Sequence, residues 1–329
     1  MMACSLAALP AGGRPEVASL PVPVTNNAVV GTGGSLFSFL GLEGGTTFAN
    51  ITQHAWRYDG RLHEWLPLPS VPGPHGRIAA TAQAVGGKIY LFGGYTVSAE
   101  GNEVSTPNLD VFDPATDSWS AAAPMPVPVD DAASGVWRGR LIYLISGWSQ
   151  KGNVPNVQVY DPAADRWSQA TPIPGAPVFG QAGGVVGDSL VYCDGVSSEA
   201  NRRPKFQLSD ACYRGDIDPS EPTRVSWSRL PAHPGQARYR MAAGTLGDNL
   251  VFAGGTHNPY NYNGVGYDGH PSEPSREVFA YHSGGWQERP RLAVASMDHR
   301  GLAERGGALY TVGGMLVGQE LTGTVTRLR

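Results

Sequence analysis

The segment KIYLFGG at residues 88–94 is the clearest copy of a unit that recurs along the chain. Its β-branched and aromatic residues, followed by a pair of glycines, predict a strand that ends in a turn with positive φ. The other copies are LIYLISG at 141–147, SLVYCDG at 189–195, NLVFAGG at 249–255, ALYTVGG at 308–314 and a weaker SLFSFLG at 35–41. The chain therefore contains a repeat of about 50 to 60 residues.

A second strand, a turn and a tryptophan follow most copies of this unit. The best examples are LDVFDPATDSW at 109–119 and VQVYDPAADRW at 157–167, with divergent versions at 55–65 and 277–286. The Asp-Pro pair suits the first two positions of a type I turn. The tryptophan offers a large apolar surface that can fill the space between adjacent sheets.

The composition limits the alternatives. The 329 residues include 44 Gly and 27 Pro, too many helix breakers for a mainly helical protein, while 41% hydrophobic residues exclude a disordered chain. A net charge of -4 gives no basic surface for a nucleic acid, and no apolar stretch is long enough to span a bilayer. Of three cysteines, Cys193 and Cys212 either pair across neighbouring strands or remain buried thiols.

The repeated glycine pair, Tyr-Asp turn and tryptophan resemble Kelch repeats over nearly the whole chain. The resemblance implies an all-β, six-bladed Kelch-type β-propeller, because a closed ring of four-stranded sheets buries both faces of each sheet. The blades are expected at about 26–77, 78–129, 130–178, 179–236, 237–296 and 297–329. The last unit lacks its proline-rich strand, and residues 14–25 match it, so an N-terminal strand is predicted to close the ring. Residues 1–13 are either a disordered terminus or a residual signal segment.

Six polar residues stand just before the innermost strands of the six units, at spacings of 50 to 60 residues. They are Asn27, Arg77, Asp131, Gln181, Arg240 and Arg300. Aligned in this way they form a ring at the channel mouth, and three convergent guanidiniums suit a carboxylate or a phosphate. The alternative is that these residues pair with one another and serve the structure.

The longest predicted loop, at 256–277, carries His257, Tyr260 and Tyr262, and Tyr239 lies at the entry to the same blade. A loop of this length is usually functional or disordered, and tyrosines suit stacking on a sugar. The loop also contains a G-x-G-x-x-G pattern at 264–269. Prolines follow that pattern, so the helix of a dinucleotide-binding motif cannot form there.

Among Kelch propellers, the chain most resembles bacterial N-acetylneuraminate epimerases, which are sialic acid mutarotases. The likeness lies after the glycine turn of the fourth blade, where Glu199 is followed by Arg202 and Arg203. It implies that Glu199 and Arg202 act on an acidic sugar and that the protein is exported. Asp131 and His299 are further candidates for moving a proton. The copper ligands of galactose oxidase, which also has Kelch repeats, have no counterpart here, so no cofactor or metal is expected.

Two functions remain open from the sequence. One is an isomerase that interconverts the anomers of a small anionic sugar held in the central pocket. The other is a non-catalytic propeller that binds a glycan or a protein partner, for which an exposed apolar rim would be expected. The predicted location is the periplasm or the exterior, with the cytoplasm as the alternative.

Overall fold

The computed structural model describes residues 16–199 and 204–328. In these ranges the regular structure consists of short β-strands and two 3-10 turns, Phe48–Asn50 and Val317–Gln319, without an α-helix. The predicted all-β class is confirmed. No helix in the described ranges has the length and apolar character needed to cross a membrane.

Six antiparallel sheets follow one another along the chain, and each forms one blade. Blade one comprises Ala28–Thr32, Ser35–Phe39, Ala55–Asp59 and Glu64–Pro67, and blade two comprises Thr81–Val85, Lys88–Phe92, Leu109–Asp113 and Ser118–Ala121. Blade three comprises Ala133–Trp137, Leu141–Ile145, Val157–Asp161 and Arg166–Ala170, and blade four comprises Ala182–Val186, Ser189–Cys193, Cys212–Ile217 and Val225–Arg229. Blade five comprises Ala242–Leu246, Asn249–Ala253, Val278–His282 and Gly285–Arg289, and blade six comprises Ala303–Arg305, Ala308–Val312 and Val325–Arg327.

The first strand of each blade lies next to the first strands of both neighbouring blades, and blade six contacts blade one. These strands surround a central channel of about 250 Å³ that is lined largely by glycine, alanine and valine. Small residues allow the strands to approach closely, since a Cβ on Gly31 would overlap the carbonyl oxygen of Glu304 in blade six. The prediction of six blades in a closed ring is confirmed.

A tryptophan in each of the first five blades binds the blade that precedes it. Its Nε1 donates a hydrogen bond to a carbonyl oxygen just beyond the preceding blade's fourth strand: Trp119 to Pro69 (2.9 Å), Trp167 to Ala123 (2.7 Å), Trp227 to Thr171 (3.2 Å) and Trp286 to Pro231 (2.9 Å). In blade one, Trp65 donates to Ala18 at 2.8 Å. The tryptophan thus joins adjacent sheets, as the repeat predicts.

The N-terminal segment 16–25 links blade six to blade one. The Ala18 carbonyl accepts the hydrogen bond from Trp65. In blades two to five, a residue just after the preceding blade's fourth strand accepts this hydrogen bond. The Leu20 amide donates to the Gly323 carbonyl of blade six at 2.8 Å, and Val24–Thr25 pairs with Leu42–Glu43 of blade one. The segment therefore closes the ring, although over the described residues its contacts with blade six are separate hydrogen bonds rather than a regular fourth strand. The predicted segment 1–13 lies outside the described residues.

Cys193 and Cys212 face each other on the second and third strands of blade four and form a disulfide. The sequence left pairing and free thiols open, and the structure has the paired form. Both residues are buried among Val191, Phe252 and Phe279 in one apolar cluster.

Short hairpins extend three of the blades beyond the glycine pairs. They are Tyr95–Val97 with Glu103–Ser105, Trp148–Ser149 with Gly152–Asn153, and Val196–Ser198 with Phe206–Leu208. Together with the long loop of blade five they build one end of the ring, called the loop face below, and this end carries the candidate site.

Candidate functional site

One residue at each blade entry has a left-handed backbone, and the six residues form a ring at the channel end on the loop face. This mouth ring consists of Asn26 (φ 59°), Ala79 (58°), Asp131 (51°), Gly180 (63°), Arg240 (53°) and Asp298 (66°). Backbone hydrogen bonds link its members, such as Asp131 N to Ala79 O at 3.0 Å and Arg240 N to Gly180 O at 2.8 Å. Five of the six are not glycine, and such backbone conformations persist only where the surrounding structure holds them.

The six residues aligned from the sequence do not share one backbone position relative to the mouth ring. Asp131 and Arg240 do belong to the mouth ring. The other four lie one residue after it (Asn27, Gln181), two residues before it (Arg77) or two residues after it (Arg300). The entries differ in length, and side-chain polarity alone could not reveal which residue takes the left-handed conformation.

Three of these displaced residues bind nearby groups within the protein. The side chain of Asn27 donates to Ser38 Oγ at 2.8 Å, and that of Gln181 donates to the Ile145 carbonyl at 2.6 Å. Arg77 forms a buried ion pair with Asp110 of its own blade at 2.5 Å. Their predicted role in ligand binding is untested, but the structure assigns each of them an intramolecular partner.

Two arginines and two aspartates close the centre of the mouth ring. Arg240 contacts Asp131 at two points, 2.6 Å (Nη2 to Oδ2) and 3.1 Å (Nε to Oδ1), and reaches Asp298 at 3.1 Å. Arg300 lies 2.6 Å from Asp131 and 2.9 Å from Asp298, and its Nε donates to Asn26 at 2.8 Å. All four charged side chains are buried.

The charges of this group balance. Burial alone would raise the pKa of Asp131, but Arg240 and Arg300 outweigh that effect and lower it. The pKa of Arg240 is raised well above its ordinary value because Asp131, Tyr239 and Asp298 outweigh its burial. Two positive and two negative charges therefore fill the mouth ring, and the three predicted arginines do not converge on a shared anion site. The pairing among the residues themselves corresponds to the structural alternative.

A pocket of about 110 Å³ lies on the loop face directly above this charge group. We call it the aromatic pocket, and its lining residues are Tyr95, Glu103, Ser105, Asp130, Asp131, Trp148, Gln150, Phe179, Phe206, Arg240, Asn261 and Tyr267. Residues from blades two to five contribute to it, so it sits off the channel axis. Five aromatic rings beside carboxyl, amide and hydroxyl groups suit a small ligand with both polar and apolar faces.

The aromatic rings contact one another along one wall of the pocket. Trp148 meets Phe179 edge to face at 5.3 Å between ring centroids. Phe206 lies 5.9 Å from Phe179 and stacks on Tyr267 at 4.0 Å. These contacts join the hairpins of blades three and four to the loop of blade five, and they leave a continuous apolar surface toward the cavity.

Asp130 is the most buried carboxyl group of the pocket that has no arginine partner, with 4% of the residue exposed. Its Oδ2 accepts a hydrogen bond from Ser105 Oγ at 2.6 Å. Backbone hydrogen bonds of 2.9 Å in both directions fix it to Trp148. Burial, reinforced by the neighbouring Asp131, raises the pKa of Asp130 well above its usual range.

The long loop of blade five crosses the loop face and covers the mouth ring. Its Tyr260 ring lies 5.2 Å from the Arg240 guanidinium carbon, and Tyr262 packs against the cluster of Leu42, Ile78 and Tyr95 in blades one and two. Tyr267, farther along, lines the aromatic pocket. The loop is thus ordered and structural over much of its length, and no helix follows its glycine pattern.

The predicted ligand-binding residues in and beside this loop lie in different environments. Tyr239 and Tyr260 are fully buried and flank Arg240, so neither lines the aromatic pocket. His257 is exposed, with its ring nitrogen Nδ1 2.9 Å from the Ala237 carbonyl oxygen. Ligand binding by any of the three is untested.

His299 lines the inner channel, on the side of the mouth ring away from the aromatic pocket. It is buried, and its Nε2 lies 2.8 Å from Ser296 Oγ. Burial, with a smaller contribution from Arg300, lowers the pKa of His299 to about 4. The side chain is consequently neutral near pH 7. Asp131, the other residue predicted to move a proton, lines the same channel but is paired with Arg240 and Arg300.

The predicted pair on blade four cannot be assembled, because Arg202 lies outside the described residues, as does Arg203. Glu199 is exposed at the end of the preceding hairpin, and its amide donates to the Lys205 carbonyl at 3.1 Å. It does not line the aromatic pocket. The catalytic role of both residues stays a prediction.

The described residues bring three potential metal ligands together in blade four, namely Asp194, Cys212 and His233. The sulfur of Cys212 is committed to the disulfide, and His233 Nε2 lies 3.0 Å from both oxygens of Asp194. His233 also stacks on Phe279 at 4.3 Å. The group is best described as a buried hydrogen-bonded pair beside a disulfide.

One recurring sequence feature indicates part of the aromatic pocket. Tyr95 and Trp148 directly follow the small-residue turns GG at 93–94 and SG at 146–147. In these two successive repeats, the hairpin that begins with the aromatic residue places that residue on the loop face. Phe206 and Tyr267 lie deep inside long loops, and no repeat position identifies them.

Comparison with known proteins agrees with this architecture. Residues 76–126 match the family model of the Kelch motif. The second blade is a Kelch repeat. Kelch-like protein terF of Aspergillus terreus is 29% identical over 135 residues, and human Kelch-like protein 6 is 32% identical over 97 residues. The matched stretches cover 40% and 29% of this chain but only 29% and 14% of those proteins, so the chain spans a minor part of these Kelch relatives.

A solved structure extends the similarity to the whole Kelch-type ring. The structure of YjhT superposes with a TM-score of 0.77 at 20% sequence identity, covering 94% of this chain and 96% of that one. At this identity the likeness concerns the fold alone. The protein is a six-bladed β-propeller whose second blade matches the Kelch motif.

Proposed function

We propose that this protein is a carbohydrate-binding propeller whose ligand occupies the aromatic pocket. The main support is that five aromatic rings and the side chains of Asp130, Gln150 and Asn261 line the same cavity. Aromatic faces stack on the apolar faces of sugar rings, while amide and carboxyl groups bind the hydroxyls. The pocket is lined by loops from four blades, the usual place for a binding site on a rigid scaffold.

The geometry favours a ligand without negative charge over the anionic sugar predicted from the sequence. Arg240 is the basic residue that lines the pocket, and it is already paired with Asp131 and Asp298. Glu103 and Asp130 add two further carboxyl groups to the same wall. A carboxylate in this pocket would have to displace a buried ion pair, which is costly.

Titration calorimetry with glucose, galactose, N-acetylglucosamine and N-acetylneuraminate tests the proposal. At least one neutral sugar is expected to bind, and Trp148→Ala is expected to weaken it about tenfold through loss of a stacking surface. Phe48→Ala is the matched control, because Phe48 is exposed outside the pocket. The proposal fails if none of these sugars binds or if Trp148→Ala binds as well as the unmodified protein.

A second candidate function is sugar mutarotation at the same pocket, and Asp130 favours it. A carboxyl group with a raised pKa beside a bound sugar can protonate the ring oxygen while the anomeric hydroxyl releases its proton to solvent, so that the bond from the anomeric carbon to the ring oxygen breaks and the open-chain carbonyl forms. NMR of freshly dissolved α-glucose and α-N-acetylneuraminate with and without protein would detect faster conversion to the β anomer. If the protein accelerates this conversion and Asp130→Asn abolishes the acceleration while still binding the sugar, the result supports catalysis. If the protein does not change the conversion rate, it only binds the sugar.

We also propose a periplasmic or secreted location. The support is the Cys193–Cys212 disulfide, since such bonds form and persist mainly in oxidising compartments. Thiol trapping of the protein from its native cells, followed by a mass shift assay, would show both cysteines blocked in that case. Recovery of the two free thiols would favour the cytoplasm.

A further inference from the structure

The aromatic pocket holds more carboxyl groups than the arginines of the mouth ring pair with. Of its three carboxyl groups, Asp131 pairs with Arg240 and Arg300. Glu103 and Asp130 form no ion pair with any described residue. Lys205 lies at the edge, outside the lining, with its ammonium on the aromatic wall. A ligand with a positive charge could pair with these two carboxyl groups.

The carboxyl group of Asp130 is positioned to receive such a charge. Its Oδ2 is occupied by Ser105 Oγ at 2.6 Å, whereas Oδ1 accepts no hydrogen bond from the described residues. Asp130 is only 4% exposed, and it lines the cavity. Unpaired carboxylate oxygens in a low-dielectric pocket bind cationic donors strongly.

The aromatic wall is suited to the same charge. The Lys205 ammonium lies 5.0 Å from the Phe206 ring centroid and 6.0 Å from that of Trp148. These distances fall within the usual range of cation–π contacts. The rings that would stack on a sugar therefore already attract an ammonium group from the protein.

We propose that the ligand is an amino sugar, a monosaccharide unit with a free protonated amine, whose ammonium group binds Asp130 and Glu103. This inference rests on the proposed carbohydrate function and names its substrate class. The sugar ring would stack on Trp148 and Phe206 while the amine donates to the free Asp130 oxygen. An N-acetyl group at the same position would remove the charge and leave Glu103 and Asp130 unpaired.

Calorimetry with glucosamine, N-acetylglucosamine, glucose and cyclohexylamine at pH 7 separates the possibilities. Glucosamine is expected to bind at least about tenfold more tightly than the two neutral sugars, as one charge-assisted hydrogen bond predicts. Equal binding of the three sugars would overturn the amine inference and keep the carbohydrate function. Binding of cyclohexylamine without any sugar would instead keep the amine site and refute the carbohydrate function, and no binding of any probe would refute both.

One variant tests whether Asp130 causes the preference for glucosamine, and a second variant serves as its control. Asp130→Asn keeps the shape and the hydrogen bond from Ser105, and it is expected to reduce the preference for glucosamine over glucose to about threefold or less. Glu64→Gln is the control, because Glu64 is an exposed carboxylate on the outer strand of blade one and should change nothing. An unchanged preference in Asp130→Asn, with the thermal midpoint retained, would contradict the inference, as would an equal loss in Glu64→Gln.

Proton release provides a readout that a merely structural role would not affect. Because burial and Asp131 raise the pKa of Asp130, with Arg240 opposing them, a bound ammonium should drive a proton off this group. Calorimetry in two buffers of different ionisation enthalpy is expected to show that release with glucosamine and not with glucose. Absence of the difference would count against Asp130 as the amine partner.

Discussion

The guanidinium of Arg240 forms a two-point ion pair with Asp131 across the channel mouth, with contacts of 2.6 and 3.1 Å. The two residues belong to blades five and three, so the pair spans the ring rather than joining neighbours. Arg300 and Asp298 complete the group from blade six. The polar centre of the propeller is thereby a closed structural element, and the proposed ligand site is the aromatic pocket beside it.

Arg240→Ala should destabilise the fold by about 3 to 5 kcal/mol, because it leaves buried carboxylates without their main partner. Arg140→Ala is the matched control, since Arg140 pairs with Asp161 at 3.0 Å while its side chain is 65% exposed, and such pairs contribute at most about 1 kcal/mol. Urea unfolding of both variants measures the difference. Equal stabilities would show that the group does not hold the mouth ring together.

Gly31→Ala should weaken the contact between blades one and six, because the new Cβ would overlap the backbone of Glu304. Gly301→Ala is a close control: its Cβ would meet its nearest atom, a backbone oxygen of Ala243, at 3.7 Å, an ordinary contact distance. Thermal unfolding should show a loss of about 1 to 3 kcal/mol for the first substitution and little for the second. The reverse order would contradict the ring closure described here.

The sequence repeat predicted the fold well because each of its recurring residues has a local structural role. At Asp113, for example, the turn forms as expected, with the carboxylate accepting from the Ala115 amide at 2.9 Å. The candidate site was predicted less well. Asp131 was placed in the ring, but Asp298, which pairs with the same two arginines, was not among the predicted ring members, since the pairing depends on which residues adopt positive φ.

The aromatic pocket was missed for a related reason. Its walls come from hairpins and loops that lie far apart in sequence, so Phe206 meets Tyr267 only after blades four and five are in place. No alternation or spacing in the chain encodes that contact. The polarity of Arg240 suggested a ligand, whereas its neutralisation by Asp131 became visible only with the side chains in three dimensions.

Removing the disulfide should lower stability without changing the fold. The bond closes a loop with a sequence separation of 19 residues, and a loop of that size corresponds to about 3 kcal/mol of unfolded-state entropy. We expect the double variant Cys193→Ala, Cys212→Ala to lose about this much in urea unfolding, and reductant to bring the unmodified protein toward the same value. A reductant-insensitive midpoint would mean that the bond contributes little.

His299 should make the protein acid-sensitive between about pH 6.5 and pH 4. Its folded-state pKa is about 4, below the ordinary value of about 6.5, so in this window the unfolded chain binds the extra proton and stability falls as the pH decreases. The full shift corresponds to about 3 kcal/mol. His299→Gln should flatten the pH dependence of the unfolding free energy across this window, whereas His257→Gln, at an exposed histidine, should leave it unchanged. If His299→Gln retains the slope of the unmodified protein, another group must be responsible for the acid sensitivity.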